Sequence, residues 1–172
     1  FRKPRKIARM LGSEIIDVKL PEQTVFQNWK KQAHISSIAY ARYFIPDYIQ
    51  EDTVLYLDCD LLINDKLDGL FEQDVREHYL AAIRDANGQG FNTGVLLINN
   101  KKCRQEKLKE RLIEQSILTT KEVEEGRFEH FNGDQTIFNQ VLQDDWLELD
   151  RAYNLQVGHD IVALYNNWQE HL

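Results

Sequence analysis

The sequence is poor in the residues that staple or anchor a chain. Its 172 residues include two cysteines, one methionine and three prolines. So few thiols exclude a disulfide framework and a cysteine zinc cluster. Cys59 falls in an apolar run and Cys103 in a Lys/Arg-rich turn, so both read as reduced thiols suited to the cytosol. No apolar run approaches the roughly 20 residues that a membrane-spanning helix needs, and the first residues do not have the form of a signal peptide. A soluble, cytoplasmic protein is the expectation. An excess of positive charge is also missing: 21 Lys and Arg against 28 Asp and Glu give a net charge of -7. That argues against nucleic acid and anionic membrane surfaces as partners, since an acidic surface repels both. An anionic small molecule would need a metal or local cations.

What is present suffices for one sizeable core, because 42% of the residues are hydrophobic, and a single domain over residues 1–172 is the default. The chain is organised around Val54-Leu55-Tyr56-Leu57-Asp58-Cys59-Asp60, an apolar run that stops at two acids. It reads as a buried strand, and alternation along a strand would send Asp58 and Asp60 to one face and Cys59 to the other. Carboxylates converging at the carboxyl end of a strand can hold a hard divalent cation against substrate phosphates. They can equally be a pair of solvated acids opening a loop.

The remaining segments read as alternating helices and strands. Residues 1–10 resemble a helix closed by Gly12, and residues 14–20 alternate as a strand before Pro21. Ile35, Ile38, Ala39, Arg42 and Tyr43 have amphipathic helical spacing, with Ser36 or Ser37 as a cap, Pro46 as the stop, and Arg42 snorkelling from the edge of the stripe. Two further apolar runs, Leu80 to Ile83 and Val95 to Asn99, predict strands, the first ending at Arg84 and Asp85. Residues 102–117 have helical periodicity, and residues 121–129 read as mobile, charged surface. A last helix opens near Asp134, where an acid in the first turn can serve the helix dipole alone. This alternation favours an α/β layer fold.

Four stretches in this order, His34 to Tyr43, Leu55 to Asp60, Phe91-Asn92-Thr93-Gly94 to Asn99, and Gly133-Asp134-Gln135, resemble the retaining glycosyltransferases of family 8. The likeness covers residues 12–158 and is closest to bacterial members found beside serine-rich adhesins. It implies a Rossmann-like nucleotide-diphosphosugar transferase fold of the A type, a mixed sheet flanked by helices, with UDP-glucose or UDP-galactose as donor and a glycan or glycoprotein as acceptor. Carried over motif by motif, Asp58 and Asp60 would be ligands of Mn²⁺, or of Mg²⁺, at the donor diphosphate. Arg42, Asp85, Asn92 and Thr93 would line the donor sugar, Asp134 and Gln135 would lie nearest its anomeric carbon, and His34 would be on the acceptor side. An amide is a poor nucleophile, so Gln135 would steady an oxocarbenium-like centre during same-face attack.

The family pattern also contains a first strand for uracil and ribose and a terminal His-x-x-Gly-x-x-Lys-Pro-Trp motif. Neither occurs in this sequence, and His159 and His171 lack the rest of that motif. The expectation is an incomplete catalytic domain that is a poor transferase alone and has an unpaired sheet edge open to self-association. The usual Trp-Arg after the third strand is Cys103-Arg104 here, which leaves local helix packing open. The competing readings are a non-catalytic module of the sugar-nucleotide fold and a metal-dependent hydrolase. The converging acids speak against the first, and the lack of a His/Asp ligand cluster against the second.

Overall fold

The computed structural model describes residues 2–18, 37–128 and 130–158. The expected segments at residues 19–36, which include His34 and Ser36, and everything after Gly158 lie outside them. Helix α1 covers Arg2–Met10, and Gly12, at φ +70°, closes it: the Ser13 amide donates to Ala8 and the Gly12 amide to Arg9, capping the last carbonyls. Residues 14–18 form no strand. Alternation alone does not make one without a neighbour to accept its hydrogen bonds.

The expected amphipathic helix is a 3-10 helix, Ser37–Phe44, which passes directly into α2, Ile45–Tyr48. Pro46 therefore opens a helix instead of stopping one, as proline does where the first amides have no partner. The sheet follows: β1 Thr53–Leu57, β2 Leu80–Arg84 after the short α3 at Asp68–Phe71, β3 Phe91–Asn99, and β4 Leu147–Glu148. Its order is β1-β3-β2-β4, antiparallel at the first two pairings and parallel at β2–β4. This is a mixed sheet, and among the described residues β1 is an edge. On β3, Leu96 and Ile98 enter one core with Leu80, Ala82 and Phe138, while Val95 and Leu97 enter another with Ala81, Ile83 and Leu70. Both faces are covered, which explains the uninterrupted apolar runs.

Helices α4 (Asn100–Gln105), α5 (Leu108–Glu124) and α6 (Gly133–Leu142) complete the layer on the first face. α5 extends into the charged stretch expected to be mobile surface. Cys103 is buried in α4, its thiol pushed up to about 12 by desolvation, and Cys59 is exposed on a turn, the reverse of the expected placements. Packing around Cys103-Arg104 is intact: Arg104 donates to the carbonyls of Ile49 and Gln50 and to Asp52, and Asn100 to Ile49 and Glu51. Together they tie down the segment that delivers β1.

Candidate active site

The centre of the site is an irregularity in β3. Ala82 pairs with Leu96 but Ile83 pairs with Asn92, so Thr93, Gly94 and Val95 face no partner on β2. Bulges of this kind bend a strand and re-aim its side chains. Here the bulge turns Asn92 and the Thr93 carbonyl toward the end of β1 and the start of α6. Strand β1 ends at Leu57, and the Asp58 amide donates to the Gly94 carbonyl at 2.9 Å. Cys59 and Asp60 lie in the following turn, so strand alternation does not govern Asp60, which is exposed. A Cβ on Gly94 would stand 3.0 Å from Asn92 Oδ1 and 3.3 Å from Asp58 Oδ2. The glycine lets both side chains close over the backbone.

Arg42 joins the two sides. Its Nη1 donates to the Thr93 carbonyl at 2.6 Å, Nη2 to Asp58 Oδ1 at 3.1 Å, and Nε to the Ala39 carbonyl at 3.1 Å. The side chain is 6% exposed, which rules out the expected snorkelling. Its guanidinium carbon lies 4.4 Å above the Tyr56 ring, and the Tyr56 hydroxyl donates to the same Asp58 oxygen at 2.6 Å. The 3-10 helix is held against α5 and α6 by Tyr43, whose hydroxyl is 3.3 Å from Ser116 Oγ and whose ring meets Phe138 edge to face. Tertiary contacts of this kind make a 3-10 segment a precise support for Arg42.

Asp134, in the first turn of α6, does more than serve the helix dipole. Its Oδ2 is 3.0 Å from Arg42 Nε, but that N–H is directed at Ala39, so the oxygen is in ion-pair contact without an aligned hydrogen bond. Burial raises the carboxyl to about 6, against the opposing pull of Arg42 and the backbone amides opening α6; the charge on Asp58 pushes the same way as burial. A buried oxygen without an aligned donor is uncommon and calls for a reason.

Gln135 and Asn92 form the remaining wall. Gln135 Oε1 accepts from the Thr93 amide at 3.2 Å and from Asn92 Nδ2 at 3.3 Å, and Asn92 Nδ2 also reaches Asp85 Oδ1 at 3.3 Å. The structure thus brings Arg42, Asp58, Asp85, Asn92, Thr93, Asp134 and Gln135 into one network, with Asp60 on the turn beside it and His34 outside the described residues. Gln135 also lines an open groove of about 640 Å³ with Asn87, Asn132 and Thr136.

Sequence reasoning missed three supports. Asn139 pairs with both backbone groups of Phe91, at 2.8 and 2.9 Å, and with the Gln135 carbonyl at 2.8 Å, fixing α6 to β3. Its spacing of four from Gln135 was the available signal. Tyr56 had only strand alternation to mark it, and Asn154, whose Nδ2 donates to Asn92 Oδ1 at 2.9 Å, had none.

The match to known proteins settles what kind of chain carries this network. The family model described as Glycosyl transferase family 8 matches residues 3–171. The chain belongs to that family. It is 82% identical over 172 residues to glycosyltransferase GlyD of Streptococcus pneumoniae serotype 4, covering 100% of this chain and 21% of that protein. It is similar in structure to crystalline GlyE of S. pneumoniae TIGR4, with a TM-score of 0.74 at 42% identity over 98% of this chain and 39% of that one. The galactosyltransferase LgtC, solved with donor and acceptor sugar analogues, follows with a TM-score of 0.67 at 28% identity, over 76% of this chain and 51% of that one. The fold is the A-type glycosyltransferase fold of these neighbours. The chain spans about a fifth of GlyD and two fifths of GlyE.

Asp58 and Asp60 fit a hard divalent cation in chemistry. Both offer carboxylate oxygens, and among the described residues no donor is bonded to Asp58 Oδ2. No group of three or more His, Cys, Asp or Glu side chains suited to a metal occurs among those residues. Two carboxylates completed by substrate phosphates and water are nonetheless a common way to hold Mg²⁺ or a similar ion.

Proposed function

We propose that this chain carries the donor-sugar side of a metal-assisted retaining hexosyltransferase, which moves glucose or galactose from a UDP-sugar to a glycan or glycoprotein acceptor. Residues 1–172 would form one catalytic domain, drawing the rest of its nucleotide site from elsewhere in the protein. The observation that carries the reading is Asp134, buried with an orphaned carboxylate oxygen beside Arg42 and next in sequence to Gln135. A purely structural module has no physical need for that arrangement.

In this reading Asp58 and Asp60 would hold Mn²⁺ or Mg²⁺, which would supply positive charge against the donor diphosphate. Arg42 holds Asp58 through Oδ1 and so directs its carboxylate at the metal position. Asp85 and Asn92 receive the hydroxyls of the donor sugar. Asp134, at the start of α6, stabilises positive charge near the anomeric carbon, and Gln135, adjacent to it, lies at the same reacting centre. The resemblance to LgtC, a galactosyltransferase solved with sugar analogues, supports a hexose donor.

The test is donor binding and turnover with the protein expressed from its whole gene, using UDP-glucose and UDP-galactose with and without Mn²⁺. Binding should require the ion, and equal affinity in EDTA would refute the metal assignment. Asp60→Ala should bring transfer to background and leave the melting temperature unchanged, because Asp60 is exposed and outside the sheet. Retained transfer in that variant would show Asp60 to be a solvated turn acid.

A further inference from the structure

Two backbone amides decide which way the two side-chain amides of the site point. An N–H can only donate, so the Gly94 amide, 2.9 Å from the Asn92 side chain, requires the oxygen of Asn92 there. This sends Asn92 Nδ2 toward Gln135. The Thr93 amide then makes the same demand on Gln135, whose Oε1 accepts from both Thr93 and Asn92. The carbonyl of Gln135 is thereby turned into the protein, and its Nε2 is left as the group available to the groove. Asn154 is the second donor to Asn92 Oδ1, at 2.9 Å, from a side chain at the end of a 3-10 helix and 62 positions away in sequence. It is 7% exposed and stands 3.6 Å from the position a Gly94 Cβ would take.

We infer that Asn154 is a positioning residue that acts through Asn92 to hold Gln135 with its N–H donors, not its carbonyl, toward the substrates. The inference rests on the proposed placement of Gln135 at the reacting centre. It makes Gln135 a donor that can steady an anionic or hydroxyl oxygen, and excludes its carbonyl oxygen as an attacking group. Replacing Asn154 by aspartate sets an acceptor against Asn92 Oδ1. The Gly94 amide still requires that oxygen where it is, so the repulsion is relieved by displacement of the Asn92 side chain, which slackens its hold on Gln135 Oε1.

The experiment compares Asn154→Asp, Asn154→Ala, Gln135→Ala and the two double variants in the whole protein, reading kcat, donor KM and melting temperature. Loss of an outer residue that orients a working group costs about 10–100-fold in activity. We expect Asn154→Asp to lower kcat by that factor with donor KM nearly unchanged, Asn154→Ala to lower it less, and neither to add to the loss caused by Gln135→Ala. Losses that multiply with Gln135→Ala, or that track a fall in melting temperature in both variants, would overturn the inference and leave Asn154 a structural residue. Should Asn154→Asp fail to fold, the same non-additivity is read from Asn154→Ala. If Gln135→Ala transfers sugar at the wild-type rate, the placement of Gln135 fails and the inference with it. If Gln135→Ala is inactive while both Asn154 variants are normal, only the inference fails.

Discussion

Arg42 and Arg84 each meet carboxylates at the end of the sheet where β1 and β2 finish, Arg42 beside β1 and Arg84 on the β2–β4 side. Arg84 donates through Nε to both oxygens of Glu148, at 3.1 Å each, and through Nη2 to one of them, across the parallel β2–β4 pairing. Both side chains of that pair are 49% exposed, whereas Arg42 and Asp134 are each 6% exposed. In the exposed pair the partner decides: Arg84 lowers the Glu148 carboxyl, as its hydrogen bonds favour the charged form. In the buried pair the partner loses: Asp134 is raised to about 6 although Arg42 lies 3.0 Å away. The opposite shifts have two sources, the desolvation of Asp134 and the aligned hydrogen bonds that Glu148 receives from Arg84 and Asp134 does not receive from Arg42. The β2–β4 edge uses charge to finish a surface; the β1–β3–α6 cluster keeps charge where it is costly.

The largest test of that contrast is Arg42→Met, which leaves Asp58 and Asp134 without their shared cation. Removing one partner of a buried pair costs about 3–5 kcal/mol. Chemical denaturation should show a loss of that order at pH 7.5, together with loss of transfer. The loss should be smaller at pH 5, because Asp134 without Arg42 takes up a proton even more readily. A loss independent of pH would mean that Arg42 matters for packing against Tyr56 and not for charge.

Asp134 itself gives the next effect. Its folded pKa lies above the ordinary carboxylate value, so the folded state binds the proton more tightly than the unfolded chain. The stability this supplies is fully present below about pH 4 and is lost as pH rises through about 6, on the order of 3 kcal/mol in all. Asp134→Asn should flatten the stability profile between pH 4 and 6 and be inactive. An unchanged profile would assign the slope to other groups.

The contrast also explains what could be read without coordinates. Buried strands announce themselves as apolar runs, so β1, β2 and β3 were legible, and so was Asp58 after β1, whereas Asn92 and Gln135 were singled out through the resemblance to a family motif. What tertiary contact decides was not. Residues 37–44 carry a helical apolar stripe, and that spacing does not tell an α-helix from the tighter 3-10 winding on which Tyr43 meets Ser116 and Phe138. The bulge at Thr93–Val95 lies where the apolar run begins, and Gly94 was its one mark in the sequence. Arg42 looked like an edge residue because a cation on a buried stripe is recognised only with its partners, and these lie 16 and 92 positions downstream. Asn154 belongs to no periodic pattern at all.

The smallest effect is expected at the exposed pair, and it separates charge from contact. Glu148→Gln removes the charge but keeps an oxygen for Arg84, and half-exposed pairs of this kind contribute little once salt screens them. The denaturation midpoint should be unchanged at 0.15 M salt, with a slight fall at low ionic strength. Arg84→Ala should be more damaging than Glu148→Gln, because the Arg84 guanidinium also lies 5.3 Å from the centre of the Trp146 ring, and Trp146 packs in turn on Phe91 at 5.1 Å. The aliphatic stem and the stacked plane are lost with the charge, and both shield the end of β3 from which Asn92 projects. If the two substitutions prove equally damaging at physiological salt, the ion pair and not the stacking secures this edge, and desolvation no longer accounts for the difference between the two arginines.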